Sequence, residues 1–229
     1  MTKLKTDTHL LQTTVTGSSG LFITNEDNML LMSRYPDNYF DLAIVDPPYG
    51  ININESMGRR KGDKHSGREK TYWDSSIPDE SYFKELFRVS KEQIVWGGNY
   101  MTKYLAPSSC WLLWDKGFSE DVTFAQYEMA WTSFTSSAKK YDKHPNQLNR
   151  IHPTQKPIQL YSWVLQRFAK PDYKIIDTHL GSGSIAIAVD NANKMDKMNL
   201  TLVACERDKK HYKDAVTRIN NETNWQSLF

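Results

Sequence analysis

Between residues 173 and 220 the chain alternates short apolar runs with helical ones, and that order limits its fold more than any other feature. Residues 173–177 read as a strand, Gly181-Ser182-Gly183 as a tight turn and 184–193 as a helix; 200–205 read as a second strand and 208–220 as a closing helix. Two strands joined through a helix lie parallel. A parallel sheet buries both of its faces, so it needs helices on each side. Upstream runs extend the pattern. Residues 41–46 (DLAIVD) suit a buried strand stopped by Pro47-Pro48, and 93–96 suit another that ends at Gly97-Gly98; 111–115 and 127–131 are also strand-like. Helical spacing appears at 79–89 behind Pro78, and again past Pro157 through Ile158, Tyr161, Leu165 and Phe168. The expected fold is therefore α/β, a mostly parallel sheet with helices on both faces.

At 229 residues with 39% apolar content, the chain is long enough to build one large core. The expected organisation is a polar arm over 1–20 and a single domain over 21–229. That domain carries an exposed basic loop at 52–71 and a small polar insertion at 133–151. A net charge of +2 gives no overall field that selects a polyanion, so any basic surface must be local. Two cysteines, Cys110 and Cys205, cannot make a disulfide framework. The first residues lack the apolar stretch of a signal peptide, and no apolar run approaches the ~18 residues of a bilayer span. The chain reads as cytoplasmic, with no membrane role. Six scattered histidines give no metal-ligand spacing, so no metal is expected.

Two constellations carry chemistry. The first is Asp46-Pro47-Pro48-Tyr49, placed where a buried strand opens at its carboxyl end, the edge at which open α/β sheets bind ligands. The prolines stiffen the corner and fix the Asp46 carboxylate, the Pro47 carbonyl and the Tyr49 ring relative to one another. Two acceptors beside an aromatic plate suit a planar base whose exocyclic amino group donates to both. Taken alone, the same residues also describe a strand-ending turn with a surface tyrosine. The second constellation runs from Asp177 to Gly183 and on to Glu206. Gly181 and Gly183 allow a tight backbone approach, and Glu206 ends the next strand, where it could take both hydroxyls of a ribose. The third glycine of the dinucleotide fingerprint is missing, which favours a nucleoside without phosphates, such as S-adenosylmethionine. An ordinary glycine-closed turn remains the alternative.

Four ordered segments, Asp46–Tyr49 (DPPY), 93–100 (QIVWGGNY), 151–157 (IHPTQKP) and 177–184 (DTHLGSGS), resemble those of the amino-group DNA methyltransferases. Because DPPY precedes the glycine-rich segment, the chain is similar to the permuted β group of that family, particularly phage and prophage adenine methylases. The resemblance covers most of the chain after residue 20 and implies a permuted Rossmann-like, S-adenosylmethionine-dependent methyltransferase fold. It implies that Asp46, Pro47, Pro48 and Tyr49 hold a flipped base. It assigns Asp177, His179, Gly181, Ser182, Gly183 and Glu206 to S-adenosylmethionine, places Asp27 at the cofactor's adenine, and sets Thr154 and Lys156 at its methionine end. The implied reaction is direct displacement onto adenine N6. Cytosine N4 is the alternative target, and a catalytically silent DNA-binding module is the alternative class. His179 departs from the phenylalanine of many relatives, and the long target-recognition segment of larger members is missing.

Arg59, Arg60, Lys61, Lys64, Arg68 and Lys70 crowd the segment after Tyr49, and Lys139, Lys140 and Lys143 form a second basic group. Both are candidates for the phosphates of double-stranded DNA. The resemblance leaves a homodimer and a cognate restriction endonuclease open as partners. Trp96, Trp111, Trp114, Trp131 and Cys205 lie on strand-like runs and are expected in the core.

Overall fold

The computed structural model describes residues 20–51, 74–118, 125–145, 151 and 154–224. Its strands are β1 (Leu21–Thr24), β2 (Phe40–Val45), β3 (Ser90–Trp96), β4 (Trp111–Asp115), β5 (Tyr127–Thr132), β6 (Lys139–Asp142), β7 (Lys174–Asp177) and β8 (Thr201–Cys205). The helices are α1 (Asn28–Ser33), α2 (Glu80–Val89), α3 (Ile158–Phe168), α4 (Ser184–Met195) and α5 (Lys209–Asn224).

All eight strands form one sheet, ordered β1-β8-β7-β2-β3-β5-β4-β6. Only β5 pairs antiparallel, with β3 on one side and β4 on the other, so the remaining strands share one direction. Alternation along each strand divides the apolar side chains between two cores. Leu42 and Ile44 face α3, α4 and α5, together with Ile94, Trp96, Ile175 and Leu202. Ala43 and Val45 face α1 and α2, together with Val95, Ile176 and Val203. That two-sided burial is why these runs read as continuously apolar.

Local chemistry sets the helix starts. Asp79 caps α2 by accepting from Tyr82 N at 3.2 Å, and Asp208 accepts from the backbone nitrogens of Lys210 and His211 at 2.8 Å each, ahead of α5. Gly183 opens α4 at φ +77°, and a Cβ there would meet Ile219 Cδ1 of α5 at 2.7 Å. Only glycine lets α4 and α5 close at that point.

The observed elements follow the sequence expectations, with three differences. β1 and α1 are additional: one has four residues, the other six, and neither is long enough to display a period. Part of 133–151, expected to be an insertion without regular structure, is β6, which pairs parallel with β4 at the sheet edge. Its sequence KKYD is polar, and its half-buried positions are Lys139 and Tyr141, the latter 5.2 Å from the Trp163 ring. Backbone hydrogen bonding makes this strand, and a charged edge strand leaves little apolar signature. Trp96, Trp114, Trp131 and Cys205 are buried, as expected, and Trp111 is half-buried. The basic loop at 52–71 and all but the last residue of the 1–20 arm lie outside the described residues. Among those residues, no helix is long and apolar enough to cross a membrane.

Candidate functional site

From β2 the chain proceeds to β3 on one side of the sheet, whereas from β7 it proceeds to β8 on the other. The carboxyl ends of adjacent β2 and β7 therefore flank a switch point, where a crevice opens without any loop to fill it. A cavity of about 770 Å³ occupies this edge. Asp46, just past β2, and Glu206, just past β8, open onto the same cavity. Asp27, Thr154, Lys156, His179, Gly181 and Ser182 line it too, as does Pro48.

At the β7–β8 end, the glycine-rich turn is held by carboxylates. Glu206 Oε2 accepts from Gly181 N at 3.0 Å, and Oε1 accepts from Asp208 N at 2.8 Å. Burial raises Glu206 above the usual carboxylate range, against these two amides. Asp177 is 2% exposed and does not line the cavity; its Oδ1 accepts from His179 N at 2.9 Å. Burial pushes Asp177 up to about 8. Its place is beneath the turn, bracing the backbone. The His179 ring meets Asn28 Nδ2 through Nε2 at 3.1 Å and Thr178 Oγ1 through Nδ1 at 2.9 Å, and stands edge-on to Tyr82. Burial lowers it to about 4, so it carries no charge at neutral pH. Asp27 caps α1 through Met29 N at 2.9 Å and still borders the cavity.

At the β2 end, both Asp46 oxygens are engaged. Oδ1 accepts from the Tyr49 hydroxyl at 2.6 Å, and Oδ2 accepts from Lys156 Nζ, also at 2.6 Å. Burial pushes Asp46 up, and Lys156 opposes it. With an ammonium at that distance and its side chain one-fifth exposed, the carboxylate is carried as an anion. Lys156, expected at the methionine end of a cofactor, thus spends its charge on Asp46; its carbonyl accepts from Ser184 Oγ at 2.7 Å. Tyr49 is seated by backbone and ring together. Asp74 Oδ1 accepts from Tyr49 N at 2.7 Å and Gly50 N at 3.0 Å, while Tyr100 stacks on the phenol at 5.4 Å and 18°. Gly97, at φ +68°, lies over that ring, and a Cβ there would fall 2.1 Å from Tyr49 Cε1. Among the described residues that line the cavity, Tyr49 is absent, so the expected base plate is turned onto Asp46 instead.

Three residues at this end escaped the sequence reading, Asp74, Lys116 and Glu128, and Tyr100 was read only as the last residue of the QIVWGGNY segment, without a role. The only available signals were the position of Tyr100 within GGNY and an acid at the start of an apolar strand for Glu128. Glu128 Oε1 lies 3.3 Å from Lys156 Nζ, and Oε2 lies 3.2 Å from Lys116 Nζ. Burial works against its charge, yet the two ammoniums hold it down at about 2. The second basic group is partly committed: Lys140 pairs with Asp115 at 2.8 Å and Asp142 at 2.7 Å, and Lys139 donates to Ser137 O. Arg59, Arg60, Lys61, Lys64, Arg68 and Lys70 lie outside the described residues.

Residues 106–217 match the N6/N4 methyltransferase family model, described as DNA methylase. The Type II methyltransferase M2.MboI of Moraxella bovis is 24% identical over 210 residues, covering 69% of this chain and 74% of that protein. Both of these matches are to proteins described as DNA methylases or methyltransferases. Among solved structures, the M1.HpyAVI–SAM complex aligns at TM-score 0.56 and 13% identity, covering 87% of this chain and 99% of that one. The cytosine-N4-specific PvuII DNA methyltransferase aligns at TM-score 0.57 and 12% identity, covering 90% and 94%. The chain shares the fold of these two proteins.

Proposed function

We propose that this chain transfers a methyl group from S-adenosylmethionine to the exocyclic N6 of an adenine flipped out of double-stranded DNA. The observation that carries this reading is that Asp46 and Glu206 open onto one cavity at the switch point. The residues there suit the cofactor. Glu206 keeps lone pairs beyond its two amide bonds and can accept ribose hydroxyls. Asp27 borders the same space, and neutral His179 with Tyr82 offers an uncharged wall for a planar ring. Bound there, S-adenosylmethionine supplies an electrophilic methyl carbon.

The chain's own part is placement and charge. An aromatic amine is a weak nucleophile because its lone pair is delocalised into the ring. Asp46, accepting from the amine N–H, orients that lone pair towards the methyl carbon and stabilises the positive charge the nitrogen gains. For Tyr49 to stack on the base, its ring must turn from the Asp46 contact and the Tyr100 stack that hold it here. Preference for adenine over cytosine rests on the family resemblance of the Asp46 motif. Basic side chains in 52–71, with Lys139 and Lys140, are the proposed phosphate contacts.

Incubating the chain with methyl-labelled S-adenosylmethionine and unmethylated genomic DNA, followed by nucleoside analysis, tests this. N6-methyladenine is expected. N4-methylcytosine would replace the base assignment, and unlabelled DNA would overturn the enzymatic reading.

A further inference from the structure

Because β5 runs against the other strands, the edge that receives their carboxyl ends receives its beginning. That reversal delivers Glu128 to Asp46, although no motif contains it. Glu128 is 15% exposed at its side chain and shares with Asp46 the ammonium of Lys156, which is 2% exposed. Lys116 closes the group from the outer side. Asp46 and Glu128 contribute two negative charges, and Lys156 and Lys116 contribute two positive ones, so the cluster is neutral.

We infer that Glu128 is a positioning residue of methyl transfer: by balancing Lys156, it leaves the Asp46 carboxylate able to hold the positive charge of the reacting nitrogen. The inference rests on the proposed function. In the reaction the nitrogen lone pair forms a bond to the methyl carbon while the carbon–sulfur bond breaks. The bonding pair departs with sulfur, and the nitrogen turns positive before shedding a proton to solvent. An unbalanced Lys156 would put a net positive charge beside that nitrogen, next to side chains that are mostly buried, where like charges interact more strongly than in bulk water. Glutamine at 128 keeps the size of the side chain and an acceptor for Tyr49 and Lys156. It removes only the charge.

The test measures single-turnover methyl transfer at saturating cofactor and DNA, with cofactor Kd alongside. Glu128→Gln should slow transfer ~10- to 100-fold while Kd stays within about twofold. Adding Lys116→Met to Glu128→Gln restores a neutral cluster and should recover most of the lost rate. A Gln variant as fast as the wild type overturns the inference, and so does a loss that the second substitution fails to recover. Kd worsening in step with the rate would also overturn it, since the defect would then be structural. A wild-type chain that methylates no DNA overturns the proposed function, and this inference with it.

Discussion

Replacing His179 with phenylalanine should change how stability responds to acid. Burial holds the imidazole at about 4, against an ordinary value near 6.5, so the folded chain refuses a proton that the unfolded chain accepts. A group with a lowered cationic pKa contributes no penalty above pH 6.5. It destabilises progressively as pH falls through 6.5 towards 4, where the unfolded state binds more protons. Fully developed, the loss is about 3 kcal/mol; at pH 5, where the unfolded imidazole is already charged, it is about 2 kcal/mol. Asp177 works the other way. Pushed up to about 8, it stabilises the fold at low pH and loses that contribution as pH rises, and it does so in both proteins because its partner is the backbone nitrogen of residue 179. The difference between the two proteins therefore isolates the imidazole. Urea unfolding at pH 7.5 and pH 5.0 is the assay, and His179→Phe should lose about 2 kcal/mol less than the wild type across that interval. Equal losses would refute a neutral, half-buried His179.

Two further substitutions probe the other half of the site. Gly97→Ala forces a Cβ to 2.1 Å from Tyr49 Cε1 at a left-handed backbone position, so destabilisation of about 2 kcal/mol or more and loss of methyl transfer are expected. A urea midpoint matching the wild type would count against the packing described for Tyr49. Asp46→Asn keeps the shape of the corner and removes its charge; transfer should fall by about 100-fold or more while cofactor Kd, by calorimetry, stays within about threefold. Retained turnover would remove Asp46 from the chemistry.

The α/β character and the position of the cavity were legible because buried parallel strands advertise themselves as uninterrupted apolar runs ended by Pro47-Pro48, Gly97-Gly98 or Thr178. Glu206 was legible for the same reason, since it closes such a run. What sequence could not convey was pairing across the chain. Lys156 sits in a segment that the resemblance assigned to the cofactor, yet its charge is claimed by Asp46, 110 residues away. Glu128 is an acid in an otherwise apolar strand, and only the reversed direction of β5 makes it a neighbour of Lys156. Asp177 occupied its expected place for a different reason: its carboxylate supports the turn from below and does not border the cavity. β6 was missed because KKYD joins the sheet through main-chain hydrogen bonds, and hydrophobic periodicity does not report those.

The grip of Asp74 on the amides of Tyr49 and Gly50 has an evolutionary corollary. It fixes Asp74 to Tyr49 and Gly50, which lie far from it in sequence, so the two ends of the intervening stretch are held together. Closure entropy grows only logarithmically with length, at about 0.6 kcal/mol per doubling. Related sequences can therefore differ in length between those two points at small cost while the corner at Asp46 keeps its shape.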